Sequence, residues 1–285
     1  MKILFFVAAI AVALSTLSCK KETLEDIKET VAKNELTGLD RATTIQQNGL
    51  IVEIFTPTGT FKTGYNDVYY RVKDSAQNKY ILAADLVAVP EMQMMSMSHG
   101  TPTNSITKLV ERPNLYRGGI IFTMASTEME PWTITLNVTQ GSTLRTITSE
   151  INVVQSAKRN LNVFQGEDGN RYILAMVKPL APIIGQNDIT AQLFKRVDGY
   201  TYEIVPNFTV KMDPRIPSMG NHSSPNNVNL TSNNTGDLYS GKLNLTMTGY
   251  WKINLMVFNA ANELLKGEEI TSENEGSSIF FEVEF

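Results

Sequence analysis

Two short runs bring methionine and histidine together, and they contain the only two histidines of the chain. The first run, residues 90–102, reads PEMQMMSMSHGTP, and the second, residues 212–225, reads MDPRIPSMGNHSSP. The methionine thioether is a soft ligand that favours Cu(I), and imidazole also suits copper. Thiolates are softer still, but they are open to oxidation outside the cytoplasm. The two runs therefore predict a copper site, for Cu(I), that is present twice.

The predicted ligands in each half are a histidine, the methionine just before it and a methionine from a later strand. They are Met97, His99 and Met124 in the first half, and Met219, His222 and Met247 in the second. Additional sulfurs are available from Met92, Met94 and Met95 in the first run and from Met212 near the second. Having fewer sulfurs, the second set is expected to be the more regular site. Met124 and Met247 also suit a plain core role, since methionine commonly fills cores.

The second half of the chain repeats the first, which is the strongest signal of its organisation. A tyrosine follows the histidine by 17 residues in both halves, at Tyr116 and Tyr239. The only two tryptophans, Trp132 and Trp251, begin the matching segments WTITLNV and WKINLMV. Such agreement in register indicates two copies of one domain, the first at residues 49–156 and the second at 157–285.

Both copies are rich in short runs of β-branched and aromatic residues, punctuated by Gly, Asn, Asp and Pro, which is typical of strands. The fold class is therefore predicted as all-β, with two tandem immunoglobulin-like β-sandwich domains. By two-residue alternation, the tryptophan segments should bury one face in each core. Tyr116 and Tyr239 are interpreted as structural residues that tie down a loop. The Met/His runs are expected to be loops, following strands that end near Val89 and Val210.

The N-terminus resembles an export signal, with Lys2 before an apolar run at residues 3–14. Cys19 follows this segment and is the only cysteine of the chain. The sequence Leu-Ser-Cys at 17–19 resembles a bacterial lipoprotein signal, which implies a signal peptide at 1–18 and lipidation of Cys19. The alternative is an ordinary secretory signal with an incidental cysteine. Residues 19–48 are polar and are predicted to form a tether to the membrane.

A family resemblance rests on the order of these motifs: a proline, then Met-x-His or Met-x-x-His, then Tyr-x-Gly, then Thr-Met, then Trp. This order resembles the YtkA-like domains, which are related to FixH-type proteins, and it covers most of residues 49–258. The resemblance implies an extracytoplasmic β-sandwich associated with copper handling or cytochrome oxidase assembly. It also implies a role for Met97 with His99 and for Met219 with His222. The first copy departs from the family pattern, with Pro90 seven residues before Met97.

Composition and missing motifs argue against several other functions. The net charge is -4 and no long basic run occurs, so nucleic-acid binding is not expected. No phosphate loop, zinc-protease motif or local catalytic signature is present, so an enzyme is not expected. Asn-Asp pairs at 66–67 and 187–188 lack the spacing of a calcium loop and are read as turns. The predicted function is a membrane-anchored envelope lipoprotein that binds copper as carrier, buffer or assembly factor, with a copper-receiving envelope protein as partner. The alternative is an interaction module whose methionine-rich loops dock a protein or glycan.

Overall fold

The computed structural model describes residues 35–232 and 238–285. Residues 38–285 form one compact unit, and only residues 35–37 of the preceding unit, Met1–Thr37, are described. The predicted signal peptide, Cys19 and most of the predicted tether therefore lie outside the described residues. No helix within the described ranges is long and apolar enough to cross a membrane.

The first copy contributes twelve strands. They are β1 (Asp40–Gln47), β2 (Leu50–Thr56), β3 (Phe61–Lys62), β4 (Gly64–Asp74), β5 (Lys79–Tyr80), β6 (Asp85–Gln93), β7 (Ser98–Gly100), β8 (Thr107–Lys108), β9 (Tyr116–Phe122), β10 (Trp132–Gln140), β11 (Thr143–Ile151) and β12 (Val153–Val154). One sheet has the order β1-β2-β4-β9-β8, with β5 on β4, and the facing sheet has the order β11-β10-β6-β7. The short β12 pairs in parallel with β3.

The second copy contributes eleven strands and one 3-10 turn. They are β13 (Leu161–Gln165), β14 (Arg171–Lys178), β15 (Gly185–Arg196), β16 (Tyr202–Ile204), β17 (Thr209–Ile216), η1 (Pro217–Met219), β18 (His222–Ser223), β19 (Val228–Thr231), β20 (Tyr239–Leu245), β21 (Tyr250–Phe258), β22 (Leu264–Lys266) and β23 (Phe280–Glu284). Here β19 joins the two layers, giving the continuous order β13-β14-β15-β20-β19-β17-β21-β22. The remaining strands flank this path, with β16 on β15, β18 on β17 and β23 on β21.

The predicted all-β fold of two tandem sandwiches is confirmed. Each copy has its own hydrophobic core between its two layers. The alternating tryptophan strands bury one face as predicted, with Trp132, Ile134, Leu136 and Val138 in one core and Trp251, Ile253, Leu255 and Val257 in the other. Alternation predicts these faces well because successive side chains of a strand point to opposite sides of the sheet.

The predicted tether was too long at its C-terminal end. Residues 40–47 form β1, which pairs antiparallel with β2 and places Ile45 in the first core. Most other side chains of β1 are exposed or half-buried. The polar sequence reflects the position of β1 at the edge of a sheet, where a strand keeps little of its surface inside.

Two equivalent tyrosines, one in each copy, tie down the equivalent loop. The hydroxyl of Tyr116 donates to the carbonyl oxygen of Ile81 at 3.1 Å, and that of Tyr239 donates to Val205 at 2.5 Å. Burial raises the pKa of both phenols, so each hydroxyl keeps its proton. These contacts agree with the structural role predicted for the tyrosines.

The two copies also pack against each other. A small apolar cluster forms between β9 of the first copy and β14 and β15 of the second, and its buried members are Ile121, Ile173, Ala175 and Phe194. Tyr65 of the first copy and Tyr202 of the second pack at its margin. Apolar burial of this kind favours a fixed arrangement of the two sandwiches over free rotation about the connecting residues.

Candidate metal site

The first Met/His run is a β-hairpin, not the predicted loop. Strand β6 continues past Val89 to Gln93, and the chain returns as β7 with Met92 opposite His99. The turn is closed by the amide of Met94, which donates to the carbonyl oxygen of Met97 at 2.8 Å. The extension of β6 was missed because its pairing partner, β10, lies about forty residues away in sequence.

Three side chains form a row across this sheet. Trp132 on β10 pairs with Met92 on β6, and Met92 pairs with His99 on β7. Residues directly opposite one another in a sheet share a face. Trp132 and Met92 are fully buried, and the His99 ring packs edge-on against the indole with ring centroids 5.4 Å apart at 89°. The row therefore places a half-buried imidazole beside a thioether and an indole.

The carbonyl group of the next residue, Gly100, orients the imidazole of His99. Nδ1 lies 2.8 Å from the carbonyl oxygen of Gly100. A carbonyl oxygen can only accept, so Nδ1 must carry the proton of this bond. In the neutral ring this leaves the lone pair on Nε2. Metal-binding histidines commonly have the same arrangement, with one ring nitrogen held by a carbonyl group and the other on the metal.

The other sulfurs of the first copy lie at the hairpin tip and beside the tryptophan. Met97 is 61% exposed and lies in the turn of the hairpin, just before β7. Met124 is 41% exposed and lies beyond the end of β9, so it is not on the core face predicted for it. Its carbonyl oxygen accepts a hydrogen bond from Trp132 Nε1 at 3.0 Å. The hairpin thus places Met92 opposite His99 and Met97 in the adjoining turn, and the indole of Trp132 contacts the backbone of Met124.

The second Met/His run follows a similar course through the second copy. Strand β17 runs past Val210 to Ile216, which pairs with His222 on β18 after the short turn η1. Ile216 takes the place of Met92. Each follows a proline by two residues, and these prolines occupy equivalent positions, since Pro90 pairs with Ile134 and Pro214 pairs with Ile253.

In the second copy, the predicted ligands His222 and Met219 are both exposed to solvent. His222 is exposed and Met219 is 55% exposed, while Met247 packs against the second core. The carbonyl oxygen of Met247 accepts from Trp251 Nε1 at 3.0 Å, as in the first copy. The sequence favoured the second set as the more regular one, whereas the buried methionine and the imidazole held by a carbonyl group occur in the first copy.

The second copy holds the hairpin of the first. The amide of Gly100 donates to the carbonyl oxygen of Gly199 at 2.9 Å, and the hydroxyl of Tyr202 donates to the carbonyl oxygen of Gly100 at 2.9 Å. Burial raises the pKa of Tyr202, which keeps its hydroxyl as a donor. Tyr200 bonds to Ser98 and donates to Glu91 at 3.2 Å. The sequence contains no signal for these contacts, because the partners are about one hundred residues apart.

Clusters of the usual metal-binding side chains are absent from the part of the chain that the structure describes. Among residues 35–232 and 238–285, no group of three or more His, Cys, Asp or Glu side chains is placed to hold a metal ion. The Asn-Asp pairs lie within the first residues of β4 and β15, not in the predicted turns. Asn66 and Asn187 are buried, and their side chains bond the backbone of the segments that precede these strands.

No family model and no curated protein sequence matches this chain. Among solved structures, an Escherichia coli adhesin, FdeC, is similar at 16% identity and a TM-score of 0.25, over 78% of this chain. This chain spans 64% of the adhesin chain. A chimeric titin Z1Z2 tandem is similar at 13% identity and a TM-score of 0.18, over 79% of this chain and 93% of its own. Neither likeness is close enough to bear on function.

Proposed function

We propose that this protein binds Cu(I) through the β6–β7 hairpin of its first copy, with His99 Nε2, Met97 and Met124 as ligands. The observation that carries the proposal is the His99 ring, held by Gly100 and by Trp132, with Met92 opposite it on β6 and Met97 in the turn of the same hairpin. Neutral sulfur ligands with one imidazole suit a soft monovalent cation. The buried sulfur of Met92 lies in the same row and adds a further soft donor beside the ring.

The place of action belongs to the same proposal. The sequence before residue 35 resembles a lipoprotein signal, which would anchor the protein to an envelope membrane at Cys19. A site that uses no cysteine thiolate suits an oxidising compartment. There the protein would act as a copper carrier, buffer or assembly factor that passes the ion to another envelope protein. The exposed sulfurs of Met97 and Met124 would let a receiving protein approach the ion directly.

The test is a titration of the full chain with Cu(I) under anaerobic, reducing conditions, in competition with a chromophoric Cu(I) chelator. We expect saturable binding that is weakened in His99→Ala by more than the roughly 10–100-fold typical of losing a group that only supports a ligand. Met97→Leu should weaken binding too, since leucine keeps the volume and removes the sulfur. His222→Ala should change the affinity of the stronger site little.

Matched controls separate ligand loss from loss of structure. Met129→Leu removes a sulfur that is 74% exposed and is not a proposed ligand, and it should leave Cu(I) affinity unchanged. Thermal unfolding of each variant without metal reports the integrity of the fold. Absence of saturable Cu(I) binding, or binding that persists in a His99→Ala, His222→Ala double variant, would contradict the proposal.

A second candidate function has its own supporting observation. Met95 is 84% exposed and Met97 is 61% exposed in the same hairpin turn, so together they give an apolar surface there. Methionine-rich surfaces of this type adapt to protein partners without any metal. A partner retained with Cu(I) chelated and lost in a Met95→Ser, Met97→Ser variant would favour this interaction module. Met92 is unsuitable for that test, because it is buried in the core.

A further inference from the structure

A cleft of about 410 Å³ lies where the first copy passes into the second. The connecting residues 155–160 line it together with side chains from both copies. Thr63 and Thr123 belong to the first copy, and Val163 on β13 and Glu282 on β23 belong to the second. The volume falls within the roughly 300–1,000 Å³ of small-molecule sites. The junction of the two sandwiches therefore has room for a small polar ligand.

Arg159 brings a cation into this cleft that lacks an ion-pair partner. Its guanidinium group packs over the Phe280 ring, 4.3 Å from the ring centroid. Within residues 35–232 and 238–285, this group makes no ion pair and donates no hydrogen bond. Burial lowers the pKa of Arg159 from its usual value, although the charge of Glu282 acts to raise it. The N–H donors of a partly desolvated guanidinium group are therefore available to a ligand.

Glu282, the carboxylate that lines the cleft, is already engaged. Its Oε2 accepts from the backbone amide of Arg159 at 2.6 Å, and its Oε1 accepts from the hydroxyl of Tyr250 at 2.5 Å. Burial acts to raise the pKa of Glu282, but these two hydrogen bonds and the charge of Lys158 lower it. Lys158 itself pairs with Glu284. The guanidinium group of Arg159 thus carries the charge that a ligand can still pair.

The other lining groups suit a sugar better than a bare anion. Thr123 and Gln155 carry a hydroxyl and an amide that bond to no described residue, and Asn160 Nδ2 makes only a long bond to Ser156 Oγ at 3.5 Å. Hydroxyl and amide side chains both donate and accept, which matches the hydroxyl groups of a sugar. Val163 is 53% exposed and adds an apolar surface for the C–H groups of a sugar ring.

We propose that this cleft binds an acidic sugar whose carboxylate pairs with the guanidinium group of Arg159. The sugar hydroxyls would bond to Thr123, Gln155 and Asn160. A planar guanidinium group donates two parallel hydrogen bonds to a carboxylate, which a neutral sugar cannot accept in the same way. The site shares no residue with the proposed copper site, so either proposal can fail without the other.

The test is isothermal titration calorimetry of the full chain with D-glucuronate and D-galacturonate, compared with glucose, galactose and sodium sulfate. We expect saturable binding of at least one uronate, and Arg159→Gln should weaken it about 10–100-fold because a charge-assisted hydrogen-bonded pair is lost. Arg159→Lys should restore only part of the affinity, since an ammonium group lacks the planar fork. Val163→Asp should also weaken binding, because it adds a negative charge to the wall of the cleft.

The matched control is Arg171→Gln, which removes one positive charge from an exposed residue at the start of β14, outside the cleft. It should leave the affinity unchanged. Thermal unfolding without ligand reports the fold of each variant, and added uronate should raise the Tm of wild type but not of Arg159→Gln.

Three results would overturn the proposal: no saturable binding of either uronate, equal binding of the neutral sugars, or an affinity unchanged by both Arg159→Gln and Val163→Asp. Sulfate that binds as tightly as the uronates would identify a site for simple anions and overturn the assignment to sugars. A galacturonate oligomer that binds more tightly than the monosaccharide would identify an acidic polysaccharide as the source of the ligand, and equal affinity would identify a free sugar acid.

Discussion

Replacing Trp132 or Trp251 by alanine is expected to lower the free energy of unfolding by about 3–5 kcal/mol, the range for deleting a large buried aromatic side chain. Both indoles are fully buried, and both donate from Nε1 to the carbonyl oxygen of a methionine at 3.0 Å. Trp132 also contacts the Phe122 ring, with centroids 5.1 Å apart. Each alanine variant leaves a cavity in the core and removes the indole N–H that donates to a methionine carbonyl group.

The measurement is urea unfolding followed by far-ultraviolet circular dichroism, with phenylalanine at the same position as a milder variant. Trp132→Phe and Trp251→Phe should each cost less than the alanine change, because most of the ring volume is kept. The two alanine variants should differ in one respect. Trp132→Ala also removes the surface that holds the His99 ring, so it should weaken Cu(I) binding, whereas Trp251→Ala should not. A loss below about 1 kcal/mol for either alanine variant would contradict the packing described above.

Replacing Glu53 by glutamine is expected to cost about 3–5 kcal/mol near neutral pH, because it leaves a buried guanidinium without its counter-charge. Glu53 on β2 pairs with Arg71 on β4 at 2.7 Å, and these side chains are only 8% and 7% exposed. Arg41 on β1 pairs with the other carboxylate oxygen at 2.6 Å. Arg71 packs over the rings of Phe55 and Tyr80, so it cannot move into solvent without losing these contacts.

The same carboxylate should make stability depend on pH. Burial acts to raise the pKa of Glu53, but the hydrogen bond and charge of Arg71, with the charge of Arg41, lower it below the usual 4.5. A depressed pKa in the folded state contributes stability above the unfolded value, near 4.5, and that contribution is lost as pH falls through the folded pKa. Other carboxylates also titrate in this range, so the informative quantity is the difference between wild type and Glu53→Gln.

Urea unfolding at pH 7 and at acidic pH tests this prediction. The stability difference between wild type and Glu53→Gln should be largest at pH 7 and should shrink as Glu53 is protonated. Arg41→Ala is the control for the exposed partner, because Arg41 is 53% exposed and a pair of that kind contributes about 0–1 kcal/mol. Equal stability of wild type and Glu53→Gln at pH 7, or a difference that does not change with pH, would contradict the role assigned to this pair.

The sequence by itself determined the duplication, the all-β class and most of the two cores. Repeated spacing from histidine to tyrosine placed Tyr116 and Tyr239 in equivalent positions, and both make the equivalent loop contact. Alternation identified the buried faces of β10 and β21, because burial of a strand face depends on a local period of two residues. Repeated spacing and strand alternation are visible in the sequence because they depend on the order of residues along the chain.

Only the tertiary structure decided which of the two Met/His runs has a buried methionine beside an oriented histidine. Met92 and Ile216 are equivalent, yet the match is visible only once β6 and β17 are paired with the tryptophan strands. The contacts of Gly100 with Gly199 and Tyr202 join residues about one hundred positions apart, and no local pattern encodes them. Pairing across sheets and packing between copies arise from the whole chain, so they orient His99 in the first copy and leave His222 exposed in the second.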